Sequence, residues 1–311
     1  MRRARSLWIA QLFFCSALSF LSRPAEACSW IDRPFSEFYE EADEIVIARI
    51  EAVVLEESPP QPRQHVAYSV VERLKGAGGQ TGSATASTFL FCGGGMYLPG
   101  QDYLLFIAGE DRTVNDRSSR TLSNVPDVRA RRLQPLRDYQ TGTWDGLTSL
   151  NAYAYDADTP TDLEDYRCKG LGLKGVSNFP FYPTLRNAYA KSDIVVRVQI
   201  TSQVLDVPTG TVVVGTRVIE TYKGEQVDSR SFVTPVFGSP EWMEGCLVYL
   251  NGWEYLIYAN SAEGNVDERH STALMPSIPR SEFGSSSDAE STWLDKAQLR
   301  GLEMLRFLGS E

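Results

Sequence analysis

Ala42-Asp43-Glu44-Ile45-Val46-Ile47-Ala48-Arg49-Ile50 and Lys191-Ser192-Asp193-Ile194-Val195-Val196-Arg197-Val198-Gln199-Ile200 read as one strand written twice. In the second, Val196, Val198 and Ile200 face one way and Arg197, Gln199 and Thr201 the other, the period of a strand buried on one face. The first alternates in its later part, with Ala48, Ile50 and Ala52 against Arg49 and Glu51. Three more matches follow in the same order. Val70–Gly76 (VVERLKG) answers Val218–Gly224 (VIETYKG), Tyr97–Ala108 (YLPGQDYLLFIA) answers Tyr249–Asn260 (YLNGWEYLIYAN), and Thr121-Leu122 with Pro126 answers Thr272-Ala273 with Pro276. The offsets are 150, 148, 152 and 150–151 residues. Four ordered pairs at nearly one spacing are the signature of an internal repeat.

Within one copy, strands are expected over Glu44–Val54, His65–Leu74, Ala84–Phe91 and Tyr103–Ala108. Lys75-Gly76 and Leu98-Pro99-Gly100 serve as turns between them. Short strands without intervening helices predict a small antiparallel barrel or sandwich. Each copy closes on helical periodicity. Val128, Leu133, Leu136 and Tyr139 form a weak stripe, and Trp293, Leu294, Leu299, Leu302, Leu305 and Leu308 a stronger one that suits packing on the barrel. The fold class is therefore mainly β with terminal helices, in two tandem domains.

Upstream of the first copy, residues 1–27 carry Arg2, Arg3 and Arg5, an apolar run from Leu7 to Leu21, and Ala25-Glu26-Ala27. That is the build of a signal peptide, and the apolar run is short of the ~20 residues a bilayer span needs. Ordinary secretion suits it better than Tat export, because beyond the twin arginine the rest of that motif is absent. Lipoprotein attachment at Cys28 suits it less, since Glu26 lies beside the site and the expected leucine is missing. The mature chain would hold 26 basic and 39 acidic residues, net −13, and be secreted or periplasmic. Such a charge repels nucleic acid and anionic lipid, so neither is an expected partner. The domain bounds read 28–145 and 168–311, with an acidic, proline-containing linker at 146–167.

Of the five cysteines, Cys15 leaves with the signal, and Cys28, Cys92, Cys168 and Cys246 remain. Four cysteines allow three pairings, and the repeat selects among them. Cys28 and Cys168 each precede a copy's first strand, and Cys92 and Cys246 each precede its Tyr-Leu-x-Gly turn. Equivalent bonds are thus Cys28–Cys92 and Cys168–Cys246. Closing loops of 65 and 79 residues, each would stabilise by roughly 4 kcal/mol on the chain-entropy model.

Cys28, Ala42-Asp43, Lys75-Gly76, Cys92-Gly93 and Tyr97–Phe106, in that order, resemble the netrin-like domain. Within that superfamily the chain is most similar to bacterial relatives of the tissue inhibitors of metalloproteinases. The resemblance covers most of 28–140 and, more weakly, 168–275. It implies an OB-like five-stranded barrel with a helix packed on it, repeated in tandem. It also implies a mechanism: the α-amino nitrogen and carbonyl oxygen of Cys28 would chelate the catalytic zinc of a target protease, with the Ser29 side chain in the specificity pocket. A catalytic zinc keeps one position open for water, and displacing that water removes the nucleophile. The family's third mature residue is a cysteine, where this chain has Trp30. Cys168 lies mid-chain without a free amine, so the second copy lacks the mechanism.

Enzymatic readings find little support. His65 and His270 are the only histidines, and no G-x-S-x-G, H-E-x-x-H, C-x-x-C or phosphate-loop pattern occurs. Tyr97, Tyr103, Tyr249, Trp253 and Tyr255 could line a carbohydrate groove, but their recurrence in both copies favours core and turn packing. Trp30 and Trp242, which have no counterparts, are the better candidates for exposed contacts. The expected role is a protein-binding module without a cofactor or metal of its own. Its partner is another protein, a zinc metalloprotease in the most specific form. A structural or interaction protein of the cell envelope without inhibitory activity is the alternative.

Overall fold

The structure, a computed structural model, describes residues 33–56, 63–88, 97–116, 118–122, 126–148, 182–236, 249–260, 266, 271–274 and 302–310. All eleven of their strands join one sheet, flanked by four short helices. In chain order these are α1 (Phe35–Glu41), β1 (Glu44–Glu56), β2 (Arg63–Lys75), β3 (Thr81–Ser87), β4 (Asp102–Ala108), β5 (Thr113–Val114), β6 (Arg120–Leu122) and α2 (Pro126–Gln140). Then come α3 (Tyr182–Lys191), β7 (Ile194–Asp206), β8 (Thr211–Lys223), β9 (Ser229–Pro235), β10 (Glu254–Ala259), β11 (Thr272–Leu274) and α4 (302–310).

The first five strands close into a barrel. β1 pairs antiparallel with β2 and β4, β2 with β3, and β4 with β5. One parallel contact, Thr85 opposite Thr113, completes the ring. Val46, Ala48, Ile50, Val66, Tyr68 and Leu105 fill the interior. Ile45, Ile47, Leu104 and Phe106 point outward, yet they too are buried, beneath Phe35 of α1 and Leu133 and Leu136 of α2. That two-sided burial is why the start of β1 reads as an unbroken apolar run and alternates only later.

The strands of the second half reproduce these pairings residue for residue. β1–β2 has register shifts at Ile45/Val46, Ile47/Ala48 and Ile50/Ala52, and β7–β8 has them at Val195/Val196, Arg197/Val198 and Ile200/Ser202. Each set is the other moved by 150 residues. The β1–β4 and β2–β3 registers recur likewise in β7–β10 and β8–β9. Asp102 faces Leu122 as Glu254 faces Leu274, so the last match in the sequence is Leu122 with Leu274, not with Ala273. Val266 bridges Ala259 as Val114 pairs with Ile107. The contact that would close a second barrel at β9 lies outside the described residues.

The Lys-Gly pair has a use the sequence did not show. Lys75 Nζ donates to Tyr39 O at 2.6 Å and lies 4.8 Å from the Tyr39 ring centre. Lys223 Nζ donates to Tyr189 O at 2.9 Å and lies 5.2 Å from the Tyr189 ring. Each lysine satisfies the free carbonyls at a helix C-terminus, where positive charge is favoured. Gly76 then turns at φ +85°, and a Cβ there would meet Asp43 O at 2.5 Å, so the chain can pass only as glycine.

The halves meet along a seam. Ala52, Val53 and Val54 of β1 pair antiparallel with Val204, Gln203 and Ser202 of β7. Under the offset of 150 residues the counterparts of 52, 53 and 54 are 202, 203 and 204, so the seam maps onto itself about a local twofold between Val53 and Gln203. Beside it, Gly100 turns at φ +84°, and a Cβ there would fall 2.7 Å from Val236 Cγ1 and 3.6 Å from Leu205 Cδ1.

Candidate functional site

Cys28, Ser29, Trp30, Cys92, Cys168, Trp242, Cys246 and His270 all lie outside the described residues. The structure does show the framework on either side of them.

Described chain begins five residues after Cys28, at Arg33. The Arg33 guanidinium pairs with Glu37 at 2.7 Å and Glu41 at 2.5 Å along α1, and lies 5.0 Å from the Phe38 ring centre. These exposed pairs orient the side chain but contribute little stability. Phe35 does more. Fully buried, it stacks on Trp144 at 5.0 Å and meets Tyr139 at 5.3 Å and Phe106 at 5.9 Å edge-on. Pro34 offers no capping side chain, so the first amides of α1 need other acceptors. They find them in the backbone: Phe35 N donates to Thr148 O and Ser36 N to Gly146 O, both at 3.0 Å. Residues 144–148, which the sequence assigned partly to a linker, therefore clasp the front of the barrel.

On the other side, the segment holding Cys92 runs between Thr88 and Tyr97, both buried. Tyr97 Oη donates to Asp116 Oδ1 at 2.5 Å, and Asp116 Oδ2 accepts from Ser87 N at 3.2 Å. Burial, and then the Asp116 carboxylate, push the Tyr97 phenol well above its ordinary pKa, so it stays a donor. Tyr97 also packs on Tyr103 at 5.3 Å, and Tyr103 Oη accepts from Leu98 N at 3.0 Å. Tyr249, Tyr255 and Leu250 N repeat this arrangement at 5.3 Å and 2.9 Å. The repeated tyrosines thus serve the core and the turn, as their spacing indicated. Trp253 is partly buried against the second core.

One barrel end holds a buried charge cluster that no sequence motif marks. Glu44, 5% exposed, accepts from Arg73 Nη1 at Oε1 and from Arg112 Nη2 at Oε2, the latter at 2.6 Å. Arg112 Nη2 also donates to Tyr68 Oη at 2.6 Å, and its Nε to Ser83 O at 2.8 Å. Burial, then the Glu44 charge, raise the Tyr68 pKa. Arg112 adopts φ +50°, a left-handed conformation that non-glycine residues seldom take. With both carboxylate oxygens engaged, Glu44 is placed to lock the barrel end rather than to abstract a proton. Its partners come from 29 and 68 residues away, a separation that no local motif reveals.

His65 pairs with Glu56 at 2.9 Å on an exposed strand. Among the described residues no group of three or more His, Cys, Asp or Glu could hold a metal ion, and no helix is long and apolar enough to cross a membrane. No family model matches the chain, and neither does any curated protein or solved structure.

Proposed function

We propose that this chain is an exported protein-binding module, without catalytic activity, made of two netrin-like barrels in tandem. Its specific form is inhibition of a zinc metalloprotease by the mature N-terminal Cys28. The observation that carries this reading is the closed five-stranded barrel backed by α1 and α2, whose front edge is pinned through Phe35 seven residues after Cys28. A bidentate ligand gains from such anchoring, because less freedom is lost on binding. The α-amino group, with an ordinary pKa of ~7.7–8, is partly neutral at physiological pH and can coordinate. The matching strand registers of β7–β11 support the tandem arrangement, and the leader at 1–27 supports a secreted or periplasmic location.

Placing one extra residue before Cys28, or acetylating its amine, moves or removes the zinc ligand. Inhibition of a susceptible zinc protease is expected to weaken at least about 100-fold, roughly 3 kcal/mol, while the fold is unchanged. Equal inhibition by the extended and the native forms overturns the chelation reading. A native form that binds partner proteins but inhibits no zinc protease leaves the module as an interaction protein of the cell envelope.

A further inference from the structure

We propose that the β1–β7 seam is a self-complementary docking surface that a second copy of this chain can occupy. Two chains exchange their C-terminal halves, and β1 of each pairs with β7 of the other. The inference rests on the seam's geometry and does not require the inhibitory reading.

Four observations carry it. The seam is isologous: Ala52, Val53 and Val54 meet the counterparts of Val54, Val53 and Ala52, so every copy of the chain carries both complementary faces. It is also separable. Each of the four hydrophobic clusters draws its residues from one side only, two from positions 35–144 and two from 185–308. Among the described residues, opening the seam costs three residue pairs and the approach of Gly100 to Val236 and Leu205, while each of the four clusters stays whole. Third, the six paired residues are uncharged in a chain of net charge −10, so two such chains can meet here without forcing carboxylates together. Last, the 33 residues from 149 to 181 extend to about 110 Å at most, enough for α3 and β7 to reach a neighbouring molecule.

Once open, the edges of β1 and β7 present unpaired backbone groups flanked by Val54 and Val204, each 44% exposed even in the closed form. Such an edge recruits a strand. The tether sets the competition, since it holds a chain's own half at an effective concentration on the order of 1 mM. Intrachain pairing therefore prevails in dilute solution, and exchange grows as the protein concentration approaches that value.

The test uses two full-length variants, Val54→Cys and Ser202→Cys, with one chain isotopically labelled. They are mixed in denaturant, refolded together over a concentration series and mildly oxidised. Neither variant alone can form the 54–202 bond within one chain. Exchange predicts a peptide joining position 54 of one chain to 202 of the other, its yield rising about tenfold per tenfold concentration in the dilute range. Absence of that peptide at every concentration, with both variants folded by circular dichroism, overturns the proposal. If either variant fails to fold, Ala52→Cys with Val204→Cys reports on the same seam, and the same two outcomes decide.

Discussion

Phe35→Ala is expected to destabilise the chain by about 3–5 kcal/mol, the cost of removing a large aromatic side chain from a packed interior. For a domain of this size that lowers Tm by roughly 6–20 °C. The side chain is fully buried and lies within 6.3 Å, ring centre to ring centre, of Tyr39, Phe106, Tyr139 and Trp144. These come from α1, β4, α2 and the clasp that follows, so one truncation leaves a hole where four segments converge. Its counterpart is Leu185, 2% exposed in the second half's outer layer, where Leu→Ala costs about 2–5 kcal/mol. Thermal or denaturant unfolding measures both. A loss below about 1 kcal/mol for Phe35→Ala would show that the helix layer is not packed as described.

Glu44→Ala is the second large effect, at about 2–4 kcal/mol, because it leaves two arginines facing a buried position without their carboxylate. The value falls below that of a fully enclosed triad, since the Arg112 side chain is 44% exposed and can turn toward water. The second half shows how the same sheet position works without charge. Ile194 stands for Glu44, Thr221 for Arg73 and Thr216 for Tyr68. Importing the first two as Glu44→Ile/Arg73→Thr is expected to cost about 1–3 kcal/mol less than the sum of the single changes. Strict additivity would mean that Glu44 and Arg73 do not interact in solution. The singles and the double form one cycle by denaturant unfolding.

Most of the strand plan was legible in the sequence because alternation in the long strands exceeds local noise. Val196, Val198 and Ile200 fall inside the second core as their period requires. Leu302, Leu305 and Leu308 pack on the sheet as the C-terminal stripe suggested. What stayed hidden was short or distant. β5 has two residues, yet its pairing closes the barrel, and two residues carry no periodicity. α1 spans only Phe35–Glu41, seven residues in which Phe35 and Phe38 are buried, too few for a helical stripe to stand out. Lys75 read as part of a turn, whereas its ammonium group serves a helix 35 and 36 residues back. The seam was illegible for another reason. Val53 is an ordinary interior residue within its own half, and nothing local marks it as the centre of a twofold.

The candidate site was legible only as an order of motifs. Cys28 and Cys92 themselves lie outside the described residues, and the described residues on either side explain why the flanks are aromatic. Phe35 and Trp144 fix the approach from the N-terminal side, and Tyr97 with Asp116 fixes the far side. The charge cluster around Glu44 belongs to the barrel and not to that site.

The claim on which the rest depends is that two equivalent halves each fasten their own leading segment to their own sheet. A disulfide map of the mature protein, read from non-reduced peptides by mass spectrometry, tests it most directly. The expected result is two bonds, Cys28–Cys92 and Cys168–Cys246, with Cys28 as a free N-terminal residue. A bond joining sulfurs of different halves, such as Cys28–Cys168 or Cys92–Cys246, would contradict it.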